Sequence, residues 1–143
     1  MKTIGIAADH AGFEQKEFIK TWLQQQGMEV KDFGTHSTES MDYPDVAHPL
    51  AHAVENGEVE LGVGLCGSGQ GMAITLNRHA GIRAALCWAP LVACVSRNHN
   101  NANVCVLPAR FIDNATAQEI VHQFLTATFE GGRHQQRIDK INE

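Results

Sequence analysis

Five short apolar runs, at residues 3–8, 28–33, 61–66, 82–87 and 103–107, read as buried strands. Runs of this length bounded by turn residues are what strands covered on both faces present. Between them the apolar spacing becomes helical. Phe13, Phe18, Ile19, Trp22 and Leu23 form one stripe, and Gly27 directly after Gln26 marks its end. The remaining intervals predict helices at 44–55, 70–76, 90–97 and 115–129. Strand and helix therefore alternate throughout, the signature of a parallel sheet with helices on both faces. In such sheets ligands collect at the carboxyl ends of the strands. The loops to inspect are thus Asp9-His10-Ala11-Gly12, 34–45, 66–71, Trp88-Ala89 and Pro108-Ala109-Arg110. Residues 130–143 follow the last helix and read as an arm rather than core.

A chain of 143 residues suits a single domain, 1–143, with one adequate core. The N-terminus shows no secretory pattern, and no apolar run approaches the ~20 residues that span a bilayer, so a cytoplasmic protein without a membrane role is expected. Cys66, Cys87, Cys94 and Cys105 form no CxxC pair and are expected as free thiols. A net charge of −5 argues against nucleic acid as a partner. The charge is uneven, however. From Leu61 to Ile112 there is no Asp or Glu, while Arg78, Arg83, Arg97 and Arg110 all fall inside, which suggests an anionic ligand.

The densest signal is Cys66-Gly67-Ser68-Gly69-Gln70-Gly71, leaving an apolar strand and entering a helix. Three glycines in five residues let backbone N–H groups turn toward one point, where a helix N-terminus adds positive potential. That makes an anion cradle. Other glycine-loop chemistries fail on missing residues. Ser68 and Gly69 stand where a Walker loop needs its Lys, and Met72 stands where a Cys-x5-Arg phosphatase needs Arg. Gly62, Gly64 and Gly67 spell GxGxxG, but two lie inside the strand and the ribose-binding acid is absent. A thiolate beside backbone donors acts as base or nucleophile, and Cys66 is placed for either role.

His10 and His99 each read as lying in a polar loop at a strand or helix end, where function is more common than packing. His48 and His52 have metal-pair spacing, yet no third ligand accompanies them in sequence and no metal site is expected. His36, His79 and His122 are expected to be exposed. Arg133 and Arg137, four apart beyond the Gly131-Gly132 hinge, would point the same way and suit a phosphate.

Taken together, Asp9-His10-Ala11-Gly12-Phe13, Asp42-Tyr43-Pro44, the 66–71 loop, Arg97-Asn98-His99-Asn100 and Glu130-Gly131-Gly132-Arg133-His134-Gln135-Gln136-Arg137 resemble ribose-5-phosphate isomerase type B. The likeness spans nearly the whole chain in order. It extends to the galactose-6-phosphate and allose-6-phosphate isomerases of the same superfamily. The resemblance implies an α/β fold, a three-layer α/β/α sandwich with a five-stranded parallel sheet, Rossmann-like. It also implies a homodimer or homotetramer with active sites at the subunit interface, and no cofactor. By the same resemblance Cys66 removes the C2 proton of an open-chain aldose phosphate, and Gly67, Ser68, Gly69, Gln70 and Gly71 hold the enediolate. His99 opens the sugar ring, and Asp9 and Asn100 hold hydroxyls. His10, Arg110, Arg133 and Arg137 bind phosphate, the last two from the partner subunit. Ser68 stands where many members have Thr, which keeps the hydroxyl, and Gln70 stands near the glutamate that a cysteine-free branch uses. A hexose-6-phosphate isomerase with a larger pocket and a non-catalytic sugar-phosphate sensor are the competing readings.

Overall fold

The structure, a computed structural model, describes residues 2–143. Its elements run β1 (Thr3–Ala8), α1 (Phe13–Gln25), β2 (Glu29–Asp32), α2 (Pro44–Glu55), β3 (Leu61–Cys66), α3 (Gln70–Leu76), β4 (Ala84–Leu86), α4 (Pro90–Asn100), β5 (Val104–Pro108), α5 (Asn114–Thr126) and α6 (Arg133–Ile138). All strand pairs are parallel, in the order β2-β1-β3-β5-β4. Ile4, Ile6, Leu65 and Leu107 pack one way against Ile19, Leu23, Ala93, Ile120 and Phe124 of α1, α4 and α5. Ala7, Val104 and Val106 pack the other way against Leu50 of α2 and Met72 and Leu76 of α3. The three-layer α/β/α sandwich implied by the resemblance is therefore the observed architecture. Among the described residues no helix is long and apolar enough to cross a membrane.

The inner strands β1 and β3 are buried almost throughout and match the apolar runs residue for residue. The edge strands are shorter than expected. β2 keeps four residues, alternately exposed, and β4 three, because each has one neighbour to pair with. The glycines that mimic a nucleotide motif have a packing reason: a Cβ on Gly64 would sit 2.9 Å from Met72 Cγ, and one on Gly62 3.2 Å from Leu50 Cδ1. They let α2 and α3 lie close on the sheet.

The α1 stripe needs correcting. Phe18 is exposed, and Gln15 and Lys16 join Ile19 and Leu23 on the buried face. Lys16 is 0% exposed; its Nζ lies 2.6 Å from Asp32 Oδ2 at the end of β2 and 2.8 Å from Glu17 Oε2. Burial pushes the Asp32 carboxyl up, but hydrogen bonds from Lys16, the Gly34 N–H and Lys20 outweigh it and hold the group below its ordinary range. At the other end of the chain α5 starts at Asp113, whose carboxylate accepts the Thr116 N–H at 2.7 Å.

Candidate active site

The strand order reverses at β1: the chain moves from β1 outward to β2, then returns to β1's other side as β3. A crevice at such a switch point is where an open α/β sheet binds its ligand. The two strands that flank it end in Ala8, followed by Asp9-His10, and in Cys66, followed by the glycine loop. The loops adjoin, since the Asp9 N–H donates to Leu65 O at 3.2 Å.

Cys66 is 5% exposed, at the mouth of the crevice. Its carbonyl and that of Gly67 accept the Ala109 and Arg110 N–H groups at 3.0 and 2.9 Å, which fixes the start of the loop. Among the described residues nothing accepts from the N–H groups of Gly67 and Ser68. Gly69 caps α3 at φ +78°, a conformation L side chains rarely adopt, and a Cβ there would meet Leu86 Cδ1 at 2.5 Å. Ser68 Oγ accepts the Gln70 N–H at 3.3 Å, so its own hydrogen is left to donate. Arg110 lies over the loop, its Nη1 3.2 Å from where a Gly67 Cβ would be. The loop that follows Cys66 thus gathers free N–H donors, a hydroxyl and a guanidinium, an environment suited to an anionic group.

Asp9 is buried, and its Oδ1 is committed to the Ala11 and Gly12 N–H groups at 3.0 and 3.2 Å. One oxygen remains for a ligand. His10 Nδ1 accepts the Met41 N–H at 3.2 Å, so the neutral ring carries its proton on Nε2, free to donate. Tyr43, of the Asp42-Tyr43-Pro44 segment, covers the loop: a Cβ on Gly71 would lie 2.4 Å from its Cζ. No local sequence signal gives this contact, because it depends on α2 packing beside α3.

Four of the expected site residues, His99, Asn100, Arg133 and Arg137, lie elsewhere. α4 continues past Arg97 to Asn100, so His99 and Asn100 are in its last turn rather than in a loop. The helix runs antiparallel to the sheet, which carries them to the amino-terminal edge of the strands. Asn100 O accepts from Arg83 Nε at 3.1 Å, just before β4, and Asn103 O accepts the Gly62 N–H at 2.9 Å. Gly62 and Cys66 are separated by about 13 Å of extended strand. The arm folds back to the same edge as α6, with the His134 ring stacked on His99 at 4.5 Å and Glu130 N–H donating to Asn98 O at 3.0 Å. Arg133 and Arg137 stand exposed there. Asp9, His10, 66–71 and Arg110 thus form one cluster, and His99, Asn100, Arg133 and Arg137 another, at opposite ends of one chain.

The arginine-rich stretch also divides. Arg83 and Arg97 donate to Asn101 and Ala102 and brace the end of α4, burial lowering both guanidinium pKa values, and Arg78 is exposed away from the loop. Only Arg110 of the four reaches the cradle, which corrects the reading of the whole stretch as a ligand signal. Cys87 and Cys105 are buried, whereas Cys94 is half-buried and accepts from Asn98 Nδ2. A groove of about 310 Å³ beside the cradle is lined by Ser68, Gln70, Leu86, Trp88, Pro108 and Phe111. From it an exposed apolar strip, Trp88, Leu91 and Val95, runs along α4 toward the His99 edge. A larger cavity of about 420 Å³ at that edge includes Arg83, Asn100 and Asn142.

A family model described as ribose/galactose isomerase matches residues 4–141. The chain belongs to the ribose/galactose isomerase family. Ribose-5-phosphate isomerase B of Escherichia coli is 45% identical over 141 residues, covering 99% of this chain and 95% of that protein. D-erythrulose-4-phosphate isomerase of Pectobacterium atrosepticum is 44% identical, covering 99% and 93%. Among solved structures of this family, ribose 5-phosphate isomerase of Thermotoga maritima superposes with a TM-score of 0.97 at 51% identity, covering 98% of this chain and 97% of that one. Ribose-5-phosphate isomerase B of Mycoplasma genitalium, with bound ribulose-5-phosphate, gives 0.93 at 41% identity, covering 97% and 93%.

Proposed function

We propose that the chain interconverts ribose 5-phosphate and ribulose 5-phosphate, with Cys66 as the base. The observation that carries this reading is the thiol at the switch point beside free loop N–H groups, in a chain of this family. The Cys66 thiolate takes the C2 proton of the open-chain aldose. The electron pair forms the C1–C2 double bond, and the carbonyl electrons pass to O1, which the 67–71 loop and Ser68 stabilise. Return of the proton to C1, with transfer of the O2 proton to O1, completes the ketose. Asp9 holds a sugar hydroxyl, and His10 and Arg110 take the phosphate, whose remote binding energy positions the reacting carbons.

We further propose that two copies complete each site. In a two-fold dimer each copy's cradle meets the other's His99 edge, so His99 opens the ring and Asn100, Arg133 and Arg137 of the partner complete the grip on the sugar phosphate. The exposed apolar strip on α4 joins the two clusters and supplies a contact surface. A phosphorylated-sugar substrate and thiols that stay reduced support a cytoplasmic setting for this activity. A four-carbon ketose phosphate is the second reading, favoured by the Pectobacterium relative.

Cys66→Ala is expected to lower kcat by about 10²–10⁴-fold with KM nearly unchanged, and to stop exchange of the C2 hydrogen with deuterium oxide. Near wild-type turnover would eliminate the mechanism. Binding of pentose phosphate without turnover by the unmodified protein would favour the sensor.

A further inference from the structure

We propose that His52, Glu55 and His79 form a site for a divalent cation of the zinc class, with His48 holding His79 in place. His48, His52 and Glu55 recur at i, i+4 and i+7 of α2 and so share one stripe. His79 comes to them from the turn between α3 and β4 and, contrary to expectation, its side chain is only 13% exposed. Glu55 follows His52 by one turn of the same helix, and the remaining ligand, His79, arrives only through the fold.

The donor atoms converge. His79 Nδ1 lies 3.4 Å from Glu55 Oε1, His52 Nδ1 lies 3.9 Å from the same oxygen, and all three donors fall within 4.8 Å of one another. Ligands held about 2.0–2.2 Å from a tetrahedral zinc ion stand roughly 3.3–3.6 Å apart, so small side-chain rotations suffice. The surroundings fix the orientation that coordination needs. His48 Nδ1 is 2.7 Å from His79 Nε2. A proton on Nε2 shared with His48 leaves the His79 Nδ1 lone pair facing Glu55 and His52, the arrangement by which a metal-ligating imidazole is commonly oriented. Glu55 is held in turn, its Oε2 accepting the Gly81 N–H at 2.9 Å, and a Cβ on Gly81 would lie 2.9 Å from that oxygen. Two imidazoles, one carboxylate and an open fourth position make a donor set for zinc, cobalt or nickel rather than magnesium or calcium. The cluster sits at the carboxyl end of α2, about 17 Å along the helix from Tyr43 and the cradle.

The test is a Co²⁺ titration followed by its visible ligand-field absorption, in the full chain carrying His134→Gln to remove the other histidine–glutamate grouping, His99 with Glu130 and His134. We expect one Co²⁺ per chain, displaced by Zn²⁺. His48→Ala should weaken binding by about 10–100-fold, His52→Ala by at least as much, and His36→Ala not at all. His52 is largely exposed, so its removal leaves the fold intact even if Glu55→Gln loosens the Gly81 turn. Absence of a saturable signal, or affinity unchanged in His52→Ala, would overturn the site.

Discussion

Gly69→Ala separates the two reasons for glycine in the cradle. The backbone at Gly69 has φ +78°, and an added Cβ would stand 2.5 Å from Leu86 Cδ1 and 3.3 Å from Leu107 O. A left-handed conformation costs an alanine roughly 1–2 kcal/mol. Forcing a methyl into a filled space costs about 1–3 kcal/mol more. The expected loss is therefore ~2–5 kcal/mol. Gly27 supplies the control: it closes α1 at φ +84° with nothing within 4 Å of its would-be Cβ, so Gly27→Ala carries the conformational cost alone, ~1–2 kcal/mol. Urea unfolding of the two variants, compared at equal m-value, reads the difference. Activity should part them further. Gly27→Ala should keep full kcat/KM, whereas Gly69→Ala moves the loop N–H groups and should lower kcat by about 10²-fold, the scale of losing one oxyanion donor. Equal stability losses, or full kcat in Gly69→Ala, would refute the loop geometry described here.

Lys16→Met should destabilise by about 2–3 kcal/mol near neutral pH, the lower side of the cost of breaking a buried ion pair, because Lys20 stays 3.0 Å from Asp32. Asp32 is held below its ordinary range, so its contribution is present above about pH 4 and fades as pH falls through the folded-state value; the gap between Lys16→Met and the unmodified chain should narrow there in urea unfolding at stepped pH. A gap that grows toward acid would contradict this. Arg110→Ala should lower kcat/KM by about 10–100-fold, the scale of one hydrogen bond to a charged group, while Arg78→Ala stays near the unmodified rate; equal effects would show that the guanidinium over Gly67 holds no phosphate.

Legibility in the sequence followed locality. β1, β3, α2 and α3 were readable to the residue because continuous apolar runs, prolines and glycines bound them on the chain itself. β2 and β4 shortened because edge pairing is set by the sheet. The extension of α4 through Asn98-His99-Asn100 runs against the weak helix preference of these residues and depends on Arg83, Arg97 and the left-handed Asn101 at φ 46°. Lys16 entered the core because Asp32 waits there, a tertiary fact. In the site, the part carried by the loops at the carboxyl ends of β1, β3 and β5 was legible, whereas the placing of His99, Asn100 and the arm at the other edge follows from helix direction and sheet order. Metal-pair spacing at His48 and His52 was visible, but Glu55 and His79 gain meaning only when the α3–β4 turn folds against α2.

The sharing of each site by two copies is central to the proposed mechanism, and complementation tests it directly. Cys66→Ala and His99→Asn chains, each inactive alone, would be co-expressed and the mixed dimers verified by native mass spectrometry. Random pairing makes about half of the dimers mixed, each with one intact site of two, so roughly a quarter of the unmodified isomerase activity on ribose 5-phosphate should return. Mixed dimers that remain as inactive as their parents, or a monomer with full activity, would contradict the shared site.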